Sequence, residues 1–148
     1  DRIVRVMPNT PALVQTGAHG LFANADMSTA DRELASQVLA STGLTIWVNS
    51  ETQIDAVTAV SGSGPAYFFY MMESMIRAGV NLGLDEKVAT ALTLQTAIGA
   101  AQMAITSANT PAELRKNVTS PNGTTQAALE VFDQAQISQN IQAALAAA

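Results

Sequence analysis

The chain has 148 residues, a formal net charge of −5 and no cysteine; 48% of its residues are hydrophobic and only 13% are charged. No run of Lys or Arg appears, so the clustered cations needed to bind a phosphate backbone are missing and nucleic acid is excluded as a partner. The lack of cysteine removes disulfides, thiolate metal sites and cysteine nucleophiles, and is compatible with the cytoplasm.

The first fifty residues alternate strand and helix signals. Ile3-Val4-Arg5-Val6-Met7 is alternating and β-branched, which predicts a strand stopped by Pro8-Asn9-Thr10-Pro11. His19–Ala23 reads as a second short strand. Ser28, followed three residues later by Asp31, predicts a helix start of the capping-box type. Leu34, Val38 and Leu39 give that helix an apolar stripe, and Gly43 suits its C′ position. Leu44–Val48 is a third strand.

After Asn49 the strand signals vanish. Ile54–Val57 opens a helical region, and Pro65 stands where a helix can begin because its missing N–H is not needed there. A helix over Ala66–Asn81 is stopped by Gly83, and Asp85 caps the next, which runs to about Ser107. Thr110-Pro111-Ala112-Glu113 combines an N-cap, a proline at N1 and a glutamate at N3. A helix after Gly123 and an Ala-rich one from about Ile137 complete the pattern. The shift near residue 50 predicts an α/β part over residues 1–50 and an all-α part over residues 51–148.

Membrane insertion is not expected. No basic region followed by an apolar core stands at the start, so no signal peptide is read. Ala56–Met72 is free of charge but is interrupted by Ser61-Gly62-Ser63-Gly64-Pro65, which should break any single helix. Val88–Ala108 is long enough to span, yet carries Thr90, Thr93, Gln95, Thr96, Gln102 and Thr106, too many polar groups for a lipid-facing helix. Burial in a soluble protein fits it better. A chain so poor in charge is expected to hide a face against another copy or another domain.

Three segments are candidates for chemistry. In Val118-Thr119-Ser120-Pro121-Asn122-Gly123-Thr124-Thr125 a Pro/Asn/Gly turn feeds a helix start, so unpaired N–H groups and the positive end of the helix dipole converge on one place. Such a place accepts a carboxylate or phosphate; an ordinary helix start capped by Thr124 has the same local pattern. Ser61-Gly62-Ser63-Gly64-Pro65-Ala66-Tyr67 is a close-approach segment or a plain helix junction, and its glycine spacing is not a dinucleotide fingerprint. Arg5–Pro11 is a strand end leading into a polar loop, the place where open α/β sheets bind ligands, or simply a connection. His19, the only histidine, has no acid or cysteine at ligand spacing, so no metal site is expected. Glu73 and Arg77 stand four apart and read as an ion pair on a helix surface.

Taken in this order, the three segments resemble the pyrroline-5-carboxylate reductases. The matching residues are Arg5–Pro11, Ile54–Thr58 running into Ser61–Tyr67, and Leu114–Pro121 running into Gly123-Thr124-Thr125. The resemblance implies reduction of Δ1-pyrroline-5-carboxylate to L-proline with NADP or NAD as the cofactor, the last step of proline synthesis. It implies that residues 1–50 are the tail of a Rossmann domain and residues 51–148 an all-helical domain that forms a homodimer or a higher homo-oligomer. Ser120, Gly123, Thr124 and Thr125 would then hold the substrate carboxylate, with the Thr125 hydroxyl near the ring nitrogen. Met7, Pro8 and Asn9 would wall the nicotinamide, with Ser63 and its neighbours bordering the same pocket. Two departures stand out. Asn122 occupies a place where the family usually has glycine, and the sequence contains no Gly-rich dinucleotide motif. A fragment that does not hold NADP properly by itself, and is inactive alone, is therefore expected. A purely structural dimerisation module is the alternative. A helical-domain dehydrogenase acting on a hydroxy acid is another, although Lys87 and Lys116 do not sit in the catalytic motif of that class.

Overall fold

A computed structural model describes residues 1–148. Strands β1 (Val4–Met7), β2 (Gly17–Ala23) and β3 (Gly43–Trp47) form one sheet in the order β1-β2-β3. β1 runs antiparallel to β2, with Val4 opposite Ala23, and β3 runs parallel to β2, with Gly17 opposite Gly43. A parallel pair needs a crossover, and helix α1 (Thr29–Ala40) supplies it. The other helices are α2 (Gln53–Val57), α3 (Gly64–Asn81), α4 (Glu86–Thr106), α5 (Pro111–Asn117), α6 (Thr124–Gln134) and α7 (Ile137–Ala147).

Two compact units result, one formed by Asp1–Phe69 with Leu145–Ala148, the other by Tyr70–Ala144. The division falls inside α3 rather than at the change of composition near residue 50. The reason lies in α2, which packs on the sheet: Ile54 is buried, and the Val57 methyl groups occupy the space where a side chain on Gly20 would be.

The first unit centres on Leu21 and Ile54, both fully buried. β2 and β3 meet at two glycines. Gly43 has φ of +151°, and a Cβ there would lie 2.1 Å from the Gly17 carbonyl oxygen. Gly43 is thus the first residue of β3 and not the C′ residue of α1; the α1 cap is Ser41, in right-handed conformation. The Ser28–Asp31 capping box forms as expected. Of the Leu34, Val38 and Leu39 stripe, Leu34 and Val38 are exposed and Leu39 is half-buried, so most of it does not face the core. α1 meets β3 instead through its Ser36 side, where Trp47 Nε1 donates to Ser36 Oγ at 3.0 Å and the Arg32 guanidinium sits 5.2 Å from the centroid of the indole.

Ser61–Pro65 interrupts the helix as expected. The chain widens into a π-helical turn over Thr58–Gly62, with Ser63 N–H donating to Thr58 O at 2.8 Å, bends at Ser63 and begins α3 at Gly64.

In the second unit the starts of α4 and α5 are built locally. Asp85 accepts from Lys87 N–H to start α4, and Thr110 and Glu113 form a reciprocal capping box on α5. Gly83, at φ of +101°, ends the α3 turn. α3 approaches α4 at Gly79, where a Cβ would lie 3.1 Å from Ala89 Cβ. Glu73 and Arg77 form the ion pair expected on the α3 surface. The expected burial of α4 is not met within one chain. Ala89 and Thr93 are its buried residues, while Leu92, Ile98 and Ile105 are 56%, 65% and 78% exposed. By length and composition alone α4 is long and apolar enough to cross a bilayer.

Candidate active site

In the first unit, the end of β1 and the π-helical turn meet. Met7 is half-buried, and a Cβ on Gly62 would stand 2.6 Å from its terminal methyl, so the Met7 side chain lies directly against the Gly62 backbone. Pro8 is exposed. Asn9 is held at both ends of its amide. Its Oδ1 accepts from Ala18 N–H at 2.9 Å, and its Nδ2 donates to the Ser61 carbonyl at 3.0 Å. The second bond has a local cause. Pro65 has no N–H to offer the carbonyl four residues earlier, and that carbonyl belongs to Ser61. Asn9 therefore replaces a helical donor. Two of the sequence-predicted segments form one structure here, with an apolar wall of Met7 and Pro8 and a polar residue committed to its support.

In the second unit the Ser120–Thr125 turn ends at the start of α6. Asn122 adopts φ of 58°, the left-handed conformation that Asn tolerates best after glycine. Gly123 N–H donates to Ser120 O at 3.0 Å, and a Cβ on Gly123 would lie 3.0 Å from that same oxygen. Gly123, extended, is the N-cap residue of α6, and no side chain caps it. Thr124 is therefore the first helical residue and not the cap. The N–H groups of Thr124, Thr125 and Gln126 are the open donors of the first turn, since Ala127 N–H is the first to reach back, to Gly123 O. Both threonines are exposed.

Electrostatics separates this helix start from those of α1, α4 and α5, although the first turns of α3 and α7 are acid-free as well. The first turns of α1, α4 and α5 carry Asp31, Glu86 and Glu113, whereas the first turn of α6 carries no acid. Hydrogen bonds from the Ser28 side chain and backbone, aided by Arg2, hold the Asp31 carboxyl below its ordinary range. The Thr110 backbone N–H and then its hydroxyl do the same for Glu113. At those starts the positive end of the helix dipole is already answered by the chain's own carboxylate; at α6 it is open to an anion from outside. Arg115 and Lys116, in the last turn of α5, add positive charge shortly before the turn in sequence.

Sequence reasoning missed Gln126, whose Oε1 accepts from Asn122 N–H at 2.9 Å. Its signal was present: glutamine at N3 is a known partner for a helix N-terminus.

A small mixed sheet, and helices that leave large apolar side chains exposed, define the class as a helical dimerisation region attached to part of an α/β domain. Residues 51–148 match the family model of pyrroline-5-carboxylate reductase dimerisation, and the chain belongs to that family. It is 61% identical to the pyrroline-5-carboxylate reductase of Pseudomonas aeruginosa, over 88% of this chain and 48% of the relative. With that of Haemophilus influenzae the identity is 51%, over 98% of this chain and 54% of the relative. The chain thus spans about half the length of these curated relatives. Among solved structures, a pyrroline-5-carboxylate reductase from Coxiella burnetii superposes with a TM-score of 0.97 at 46% identity, covering 99% of this chain and 54% of that one. The Plasmodium falciparum pyrroline carboxylate reductase, solved with NADP bound, gives 0.92 at 33% identity, covering 99% of this chain and 59% of that one.

Proposed function

We propose that this chain works in an enzyme that reduces Δ1-pyrroline-5-carboxylate to L-proline, the last step of proline biosynthesis. In this reading residues 51–148 supply the substrate-carboxylate loop and the dimer-forming helices, and residues 1–50 end the nucleotide-binding domain. The observation that carries the reading is the uncapped, acid-free start of α6 in a chain of this family.

The substrate carboxylate accepts from the open N–H groups of Thr124 and Thr125, with the helix dipole adding to each bond. Ser120 and Gly123 shape the turn, and Gly123 lets the backbone approach the ligand without a side chain between them. The Thr125 hydroxyl stands near the ring nitrogen and supports its proton. Proline forms when a hydride adds to the imine carbon of the protonated ring, the nitrogen keeping its proton. NADP or NAD supplies that hydride when bound, and the protein's part is to position the ring. Met7 and Pro8 fit an apolar wall beside the nicotinamide, and Asn9 fits as the residue that fixes that wall. The sequence contains no G-x-G-x-x-G loop, so the residues here fit an edge of the cofactor and not its phosphates. The exposed apolar residues of α4 support a homodimer or a higher homo-oligomer. A cytoplasmic location completes this reading.

Replacing Thr125 with Ala in the complete enzyme is expected to lower turnover about 100-fold in an NADPH-oxidation assay with pyrroline-5-carboxylate. The oligomer mass, read by light scattering, is expected to stay unchanged. Unaltered turnover removes Thr125 from the mechanism.

A further inference from the structure

We infer that Gln126 is a positioning residue for the carboxylate loop, fixing the left-handed turn at Asn122 while keeping the helix start free of negative charge. The inference rests on the reading of Ser120–Thr125 as the carboxylate site. Asn122 stands at φ of 58°, a conformation that side chains other than glycine adopt at a cost. Its N–H is held by Gln126 Oε1 at 2.9 Å. The amide of Gln126 is in turn oriented, because its Nε2 donates to Glu130 Oε1 at 2.8 Å. A carboxylate one helical turn on fixes which end of the Gln126 amide is the donor, and so leaves the oxygen for Asn122. The chain Asn122–Gln126–Glu130 therefore ties the turn to the body of α6.

The choice of amide over acid has a second effect. At α1 and α5 the corresponding N3 residues are Asp31 and Glu113, which reach back to the N-cap residue with a carboxylate. A carboxylate at position 126 would accept the same hydrogen bond from Asn122. It would also place a negative charge in the first turn, where an anionic substrate is to bind. Glutamine keeps the acceptor and omits the charge.

Three variants of the complete enzyme test this by steady-state kinetics with pyrroline-5-carboxylate, with helix content checked by circular dichroism. Gln126→Leu removes the acceptor and is expected to lower kcat/KM about fivefold. Adding Asn122→Gly to Gln126→Leu restores kcat/KM to within about twofold, because glycine holds the left-handed turn without help. Gln126→Glu keeps the turn but raises KM about tenfold with kcat little changed, an effect that shrinks as salt is added. Wild-type KM in Gln126→Glu, or loss in Gln126→Leu that Asn122→Gly does not rescue, overturns the inference. A wild-type enzyme that does not reduce pyrroline-5-carboxylate defeats the functional reading itself, and the inference with it.

Discussion

The two units reach their conformations by different means. In the first, backbone segments distant in sequence lie in direct contact: Gly43 against Gly17, Gly20 against Val57, Gly62 against Met7. Leu21 and Ile54 are sealed inside. In the second, the helices are set by neighbouring residues, through Asp85, the Thr110–Glu113 box and Gly83, and its large apolar side chains remain mostly exposed. The first unit is specified by close long-range contacts, most strictly that of Gly43 with the Gly17 backbone. The second is specified by local signals and leaves its apolar surface for a partner, as expected for the dimerisation family to which it belongs.

The sharpest way to break this contrast is at Gly43. A methyl group there would meet the Gly17 carbonyl at 2.1 Å in a conformation that side chains rarely adopt. Gly43→Ala is expected to cost about 3 to 4 kcal/mol of stability, measured by urea unfolding with Trp47 fluorescence as the probe. A loss below about 1 kcal/mol would mean that the β2–β3 junction relaxes and that the first unit is less tightly specified than the glycine contacts imply. The second unit is expected to respond differently. Ile98→Asp on α4 should weaken self-association about 100-fold by burying a charge in the proposed interface, while helix content is preserved. Analytical ultracentrifugation showing the wild-type mass would take this part of α4 out of the interface.

The smallest effect concerns a cap. Thr110→Ala is expected to cost about 1 kcal/mol, read by urea titration of the helical signal. The same variant alters the acid response. Glu113 has a lowered carboxyl pKa in the folded chain, so its contribution is present above the unfolded value and is lost as pH falls through the folded one. Removing the Thr110 hydroxyl moves that pKa part of the way back, since the backbone N–H of residue 110 still donates. An NMR titration that leaves Glu113 at its wild-type position would show that the hydroxyl contributes nothing.

These mechanisms also explain what could be read in advance. The Ser28, Asp85 and Thr110 caps and the three strands were legible because each depends on residues within a few positions of it. The Leu34, Val38 and Leu39 stripe was right only at Leu39, because helical spacing marks a face but not which neighbour covers it. Gly43 was assigned to the helix before it, although its conformation is set by Gly17 across the sheet. Ser61–Pro65 was legible as the junction before α3, whereas the π-helical turn leading into it and the Asn9 donor to Ser61 were not. At the candidate site the motif was visible as a helix start with open N–H groups. The role of Gln126 appears only when its side chain is seen reaching backwards.

The bond from Asn9 to Ser61 spans 52 positions of sequence. Capping boxes close within a few residues and so need almost no chain to be gathered, whereas this clasp requires a long loop to be drawn shut first. Helix ends are therefore expected to form early and the wall beside the proposed nicotinamide position late. Asn9→Ala is then expected to hasten unfolding far more than it slows folding, as stopped-flow unfolding and refolding would show, so the persistence of this wall is set by how slowly the clasp opens.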